Sequence, residues 1–204
     1  MQPNALLDPL LQRATLRTYP PKTLILSEGD EGTSLLLVLS GRLKVFTSDS
    51  DGKQFTLAMC QAGDFVGELA LDGSPRCASV MTLEKTVCAV VPHDLLRKTI
   101  QENPDFAIAL ILRLVQRTRN ATHTAKGLAL GNVYQRIAEL VNVLSEQTDY
   151  PRKLKERLTR QAIADRVGAS RDMTRRVLVE LVSGGYLDIN GRDIRLLKSL
   201  PHNW

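Results

Sequence analysis

Between Lys22 and Val91 the apolar positions fall in short runs, and pairs of turn-forming residues separate them. Residues 24–26, 34–39, 43–46, 55–59, 78–81 and 87–91 are β-prone or apolar, with Gly29-Asp30, Ser40-Gly41, Asp51-Gly52 and Gly63-Asp64 as the breaks. Six or more short strands at this spacing predict a sandwich or jelly-roll-like barrel. The period then changes. From Phe106 to Ala129 there is no Pro, and no Gly before Gly127, while Asp105 sits where a first-turn carboxylate suits the helix dipole. Ile108, Ile111, Val115, Thr118, Thr122, Ala125 and Ala129 step by three and four, which is the seam of a left-handed coiled coil. Phe106, Leu110 and Leu114 form a neighbouring stripe, available to pack on the preceding β-domain. One helix can thus serve its own domain and a second copy; a single wide core-facing stripe in a monomer is the alternative.

A further amphipathic helix carries Val133, Ile137, Leu140, Val141 and Leu144 on one face, and 147–155 reads as a polar connection. The stretch 158–167 then predicts a short helix capped by Thr159 and ended by Gly168. Ser170 caps the next helix, which runs from Arg171 to Val182 and is closed by Gly184-Gly185. Two helices joined by a short Gly-containing turn have the spacing of a helix-turn-helix. Ala162, Ile163 and Val167 are expected to pack against Met173, Val177, Leu178 and Leu181. Segments 186–189 and 193–196 flank Asn190-Gly191, a hairpin signal that makes the unit a winged helix.

Charge sharpens this division. Residues 150–204 hold 12 Lys/Arg against 6 Asp/Glu, whereas residues 1–149 hold 15 against 16. The whole positive excess lies in the last quarter, as expected of a polyanion-binding module joined to a near-neutral one. Packing of the two helices leaves Arg171, Asp172, Arg175 and Arg176 exposed at the start of the second. Arginine can make a bidentate contact to guanine, and a carboxylate can accept from cytosine, so Arg171, Asp172 and Arg176 are the candidate base readers. Thr159, Arg160, Gln161, Ser170 and Arg175 suit phosphates, which fix register.

The most specific string is 64–80, Asp-Phe-Val-Gly-Glu-Leu-Ala-Leu-Asp-Gly-Ser-Pro-Arg-Cys-Ala-Ser-Val. A Gly-Glu-Leu turn running into a short helix exposes backbone amides suited to an anionic phosphate. Arg76 can pair with such a phosphate, and Glu68 can accept from a ribose hydroxyl.

This string resembles the phosphate-binding cassette of cyclic-nucleotide-binding domains. With the helix-turn-helix, it makes the entire chain resemble the cyclic AMP receptor/fumarate–nitrate regulator family of bacterial transcription factors. The resemblance implies an α+β fold with a jelly-roll-like sensory β-roll at 1–103, a coiled-coil dimerisation helix at 104–131 and a winged helix-turn-helix at 132–204. It implies effector contacts at Gly67, Glu68, Leu69, Ala70, Arg76 and Cys77. A base contact from the long helix, some of it supplied by the partner subunit, would fall at Ala121-Thr122. It further implies a homodimer on palindromic double-stranded DNA with TGTGA-like half-sites, a cyclic AMP or cyclic GMP effector, and action with RNA polymerase. Cys77 stands where receptors often have Ser, Ala121 replaces a hydroxyl used on the base, and Asp172 is shorter than the family's Glu. The connection 146–157 is also shorter than in the cyclic AMP receptor, so a polymerase contact carried there does not transfer.

A ligand-independent regulator, or one gated by cyclic di-GMP or by redox, is the competing reading. Three cysteines without paired spacing argue against a disulfide framework, and none precedes Cys60 to hold an iron–sulfur cluster. His93, His123 and His202 are far apart and read as packing or surface residues. No triad, metal cluster or Walker motif points to an enzyme, and no covalently bound cofactor is expected. The chain start has no signal-peptide pattern and no apolar run reaches bilayer length, so a cytoplasmic protein without membrane association is expected.

Overall fold

A computed structural model describes residues 8–146 and 149–201. The chain divides into two compact units, Met1–Arg119 and Asn120–Trp204.

The first unit begins with the short helix α1 (Asp8–Leu11) and is built mainly on two four-stranded antiparallel sheets. One has the order β1 (Thr15–Tyr19), β8 (Thr86–Pro92), β3 (Ser34–Ser40), β6 (Phe65–Val66). The other has the order β2 (Leu24–Leu26), β7 (Ser79–Thr82), β4 (Arg42–Ser48), β5 (Gln54–Gln61). Strand β3 reads Leu-Leu-Leu-Val-Leu rather than alternating, because both of its faces are covered. Leu36 and Val38 pack with Leu43, Cys60, Val66, Val80 and Cys88 in the interior of the roll. Leu35 and Leu37 point the other way, to Ala89, Val91 and three helical residues, Leu96, Phe106 and Leu110. The helical residues come from α2 (His93–Glu102) and α3 (Pro104–Leu130). Asn103 starts α3 by accepting the Phe106 N–H at 3.1 Å.

The six sequence-predicted strands are present, and the stripe of Phe106, Leu110 and Leu114 packs on the β-unit as expected. Ile108, Ile111 and Val115 of the coiled-coil seam are exposed, together with Leu112. Strands β1 and β6 and helix α2 were not legible. The last follows β8 directly, with Pro92 at its cap position and no capping side chain.

In the second unit α4 (Val133–Leu144) opens with a capping box. The Asn132 side chain accepts from Gln135 N at 2.8 Å, and Gln135 Oε1 accepts from Asn132 N at 3.0 Å. Its Tyr134, Ile137 and Val141 join Ile163, Val167, Leu178 and Leu181 in one core, closed by Leu187, Ile194 and Leu196. Helices α5 (Arg160–Val167) and α6 (Arg171–Ser183) are capped by Thr159 and Ser170 as predicted. Gly168 ends α5 at φ 62°, the left-handed conformation that lets the turn be this short. Arg136 secures that end by donating from Nε to Val167 O at 2.7 Å, a cation at a helix C-terminus.

Three expectations are corrected here. Met173 lies to one side of the packing stripe and is 45% exposed; Thr174, fully buried, takes its place beside Leu178 and Leu181. The hairpin of β10 (Leu187–Asn190) and β11 (Asp193–Leu196) pairs Asn190 with Asp193, so the turn is Gly191-Arg192, one residue later than expected. Gly191 with φ 63° supplies the conformation the turn needs. Part of the supposed polar connection forms β9 (Arg152–Lys153), which pairs with β11 and gives the wing a third strand; residues 147 and 148 lie outside the described residues. Among the described residues no helix is long and apolar enough to cross a membrane.

Thr174 Oγ1 is buried with no hydrogen-bond partner among the described residues. A hydroxyl in that position keeps its desolvation cost and regains nothing. Thr174→Val, which keeps the shape, is expected to stabilise the protein by about 1 kcal/mol; urea unfolding of the full chain measures it as a rise in midpoint at constant slope.

Candidate effector and nucleic-acid sites

The chain leaves β6 through Gly67 at φ 89° and enters a 3-10 helix, Glu68–Asp72. A Cβ at Gly67 would overlap Arg76 Nη1, so glycine is required both for the backbone and for the space. Arg76 returns beneath this turn. Its backbone is pinned on both sides, by Arg76 N to Asp30 O and Gly29 N to Arg76 O, each 2.8 Å. Its guanidinium donates from Nη1 to Gly67 O at 2.7 Å and from Nη2 to Ser34 O at 2.6 Å, and only 6% of the residue is exposed. Burial pulls the Arg76 pKa down from its ordinary value, and the nearby Glu68 charge opposes this. Arginine nonetheless stays protonated.

Glu68 is buried to the same degree, and its carboxylate is held by Arg117 of α3. Arg117 also donates to Phe65 O and lies over the Phe65 ring, 4.8 Å from its centroid. One turn earlier Arg113 pairs with Asp64 at 2.6 Å, and from α2 Arg97 donates to Leu71 O at 3.0 Å. His93 lies near Arg76 and Arg97; burial, followed by their charges, holds its pKa below the ordinary value. The structure therefore brings together Gly67, Glu68 and Arg76 of the expected site. Leu69 is exposed on the 3-10 helix, Ala70 lies within that helix, and Cys77 is exposed beyond Arg76. Thr122 belongs to the second unit and is exposed on α3. Arginines 97, 113 and 117 were missed. The signal for Arg117 was present, since the stripe 106, 110, 114 continues to 117, where a charged residue occupies a domain-facing position.

At the other site Ser170 Oγ accepts the Met173 N–H at 3.2 Å and sets where α6 begins. Arg171, Asp172, Arg175 and Arg176 are all exposed on its first turns. Asp172 pairs with Arg175 at 3.1 Å and with Arg176 at 2.7 Å. The Arg175 hydrogen bond, then the Arg176 charge, hold its carboxyl below the usual range. Of the expected phosphate contacts, Thr159 uses its oxygen on Ala162 N and Gln161 donates its amide to Asp165, while Arg160 is exposed. A cap hydroxyl keeps its hydrogen, so Thr159 and Ser170 retain a donor for an anion.

Burial pushes the Cys60 and Cys88 thiols up to about 11. Cys77, raised chiefly by burial as well, is the exposed one. A disulfide reagent at pH 8 is expected to titrate one thiol per chain in the folded protein and three after unfolding. Rapid titration of all three without denaturant would contradict this burial.

A family model described as the cyclic nucleotide-binding domain matches residues 16–103. The cAMP-activated global transcriptional regulator CRP of Haemophilus influenzae is 32% identical over 200 residues, covering 95% of this chain and 88% of that protein. The cAMP-activated global transcriptional regulator Vfr of Pseudomonas aeruginosa is 30% identical over 194 residues, 91% of either chain. Among solved structures, the c-di-GMP responsive global regulator CLP of Xanthomonas campestris is 26% identical with a TM-score of 0.86, over 96% of this chain and 99% of that one.

Proposed function

The chain belongs to the CRP/FNR family of transcription regulators, and on that premise we propose that it is a homodimeric, sequence-specific DNA-binding regulator gated by a cyclic nucleotide. The observation that carries the effector reading is the buried meeting of Glu68 and Arg76 at the Gly67 turn. Arg76 gives two of its five N–H donors to carbonyls, which leaves three for a cyclic phosphate. Glu68 would accept from the ribose, with the backbone at Leu69 and Ala70 and the side of Cys77 completing the cradle. Thr122 is the proposed base contact. Arg117 supplies the link to output: it belongs to α3 and holds Glu68, so a ligand that engages Glu68 acts on the helix as well. Such a ligand shifts the regulator only by binding one arrangement of the long helices better than another.

In the DNA-bound dimer each α6 would enter one of two successive major grooves of a palindromic site. Arg171 and Arg176 would read base edges, and Arg160, Arg175, Thr159, Gln161 and Ser170 would contact phosphates. Action on transcription would take place with RNA polymerase in the cytoplasm, without catalysis by this chain. A second reading, cyclic di-GMP as effector, is favoured by the likeness to CLP.

A nucleotide panel read by thermal shift and by DNA affinity separates these readings. Cyclic AMP or cyclic GMP is expected to raise both, and Glu68→Gln to abolish the response while the protein stays folded. A response to cyclic di-GMP alone selects the second reading, and DNA affinity indifferent to every nucleotide selects a ligand-independent regulator. The exposed row of Ile108, Ile111, Leu112 and Val115 supports the dimer. Ile111→Asp is expected to give monomers in sedimentation at micromolar concentration, with the wild type dimeric; a wild-type monomer would contradict the dimer.

A further inference from the structure

We infer that Asp172 is a positioning residue for Arg176 and Arg175 rather than a reader of base edges, an inference that rests on the proposed DNA-reading role of α6. The family resemblance puts a carboxylate at this position in the base-reading set, but its geometry here assigns it elsewhere. Both oxygens are engaged by arginines of the same helix: Oδ1 lies 3.1 Å from Arg175 Nη2 and Oδ2 lies 2.7 Å from Arg176 Nη2. The spacings of three and four residues put the partners on the same helix face, where a one-methylene side chain meets arginines that reach back toward it.

The contact with Arg176 leaves four of its five N–H donors, enough for a bidentate grip on guanine O6 and N7. It also restricts a long side chain before binding, so less rotamer freedom is lost when the base is engaged. Arg175 is held by the other oxygen. Arg171, by contrast, has no ion-pair partner among the described residues, so the three arginines of the helix start are not equivalent. A carboxylate shared by two guanidinium groups is also muted toward the acceptor edge of guanine and toward the phosphates, both of which would repel it if it stood alone.

The test begins with a randomised duplex library enriched on the full-length wild type, with and without cyclic AMP. Affinities are then measured for every single-base-pair variant of the selected site, using wild type, Asp172→Ala, Arg176→Ala, the double variant, and Arg171→Ala as a reference. Arg176→Ala is expected to lose roughly tenfold discrimination at one base pair. Asp172→Ala should weaken discrimination at that same base pair, and the double variant should be no worse than Arg176→Ala alone, the non-additivity of residues acting as a unit. Loss at a separate base pair, adding to the loss from Arg176→Ala, would make Asp172 a base reader and overturn the inference while leaving the DNA-reading function intact. A wild type that enriches no duplex overturns that function and the inference with it.

Discussion

A guanidinium taken out of water must find acceptors, and in the first unit much of the architecture serves that requirement for Arg76. Each of its two terminal nitrogens donates to a carbonyl, of Gly67 and of Ser34, and its own backbone is clamped by the turn at Gly29 and Asp30. The start of β3, the end of β6 and the turn at Gly29 and Asp30 are therefore held through one residue, the first two by its side chain and the last by its backbone. Gly67 cannot be replaced without displacing that side chain, since any Cβ would enter the space of Nη1. Deleting the guanidinium would in turn leave two inward-facing carbonyls without donors, a larger effect than the loss of one surface charge.

The same logic extends to α3. Its domain-facing stripe begins apolar at Phe106 and Leu110 and ends charged at Arg117, where it reaches Glu68. A buried carboxylate is costly unless paired, so Glu68 and Arg117 constrain each other strongly. Arg113 and Asp64 repeat the pairing one turn earlier, but Arg113 is half exposed, and solvent screening makes that bridge the weaker one. The anchorage of the helix to the first unit is thus apolar at one end and electrostatic at the Gly67 turn.

In the second unit the ordering groups are small and local. Thr159 and Ser170 cap successive helices, Gly168 turns the chain between them, and Arg136 donates to the carbonyl of Val167. Because Ser170 sets the start of α6, its 100° per residue then decides which side chains face the core and which face outward. Thr174 goes in, and Arg171, Asp172, Arg175 and Arg176 stay out. A bidentate pair between Arg166 and Glu156, at 2.6 and 2.9 Å, ties the last turn of α5 to the segment before it.

Features that depend on near neighbours in the chain were legible from the residues alone. Turn pairs bounded the strands, caps and glycines bounded the two helices of the helix-turn-helix, and the step of three and four separated the two stripes of α3. The residue types at 67, 68 and 76 pointed to a candidate anion site because glycine, carboxylate and guanidinium chemistry is legible without coordinates. Tertiary structure alone decided the partners. Arg117 and Glu68 stand 49 residues apart, and Arg76 and Ser34 stand 42 apart, so no local pattern could pair them. Strands β1, β6 and β9 are short or exposed and owe their form to the strands beside them, which explains why periodicity did not reveal them. Met173 and Thr174 exchanged roles for a similar reason: hydrophobicity ranks the side chains, but the rotation of a capped helix chooses which is buried.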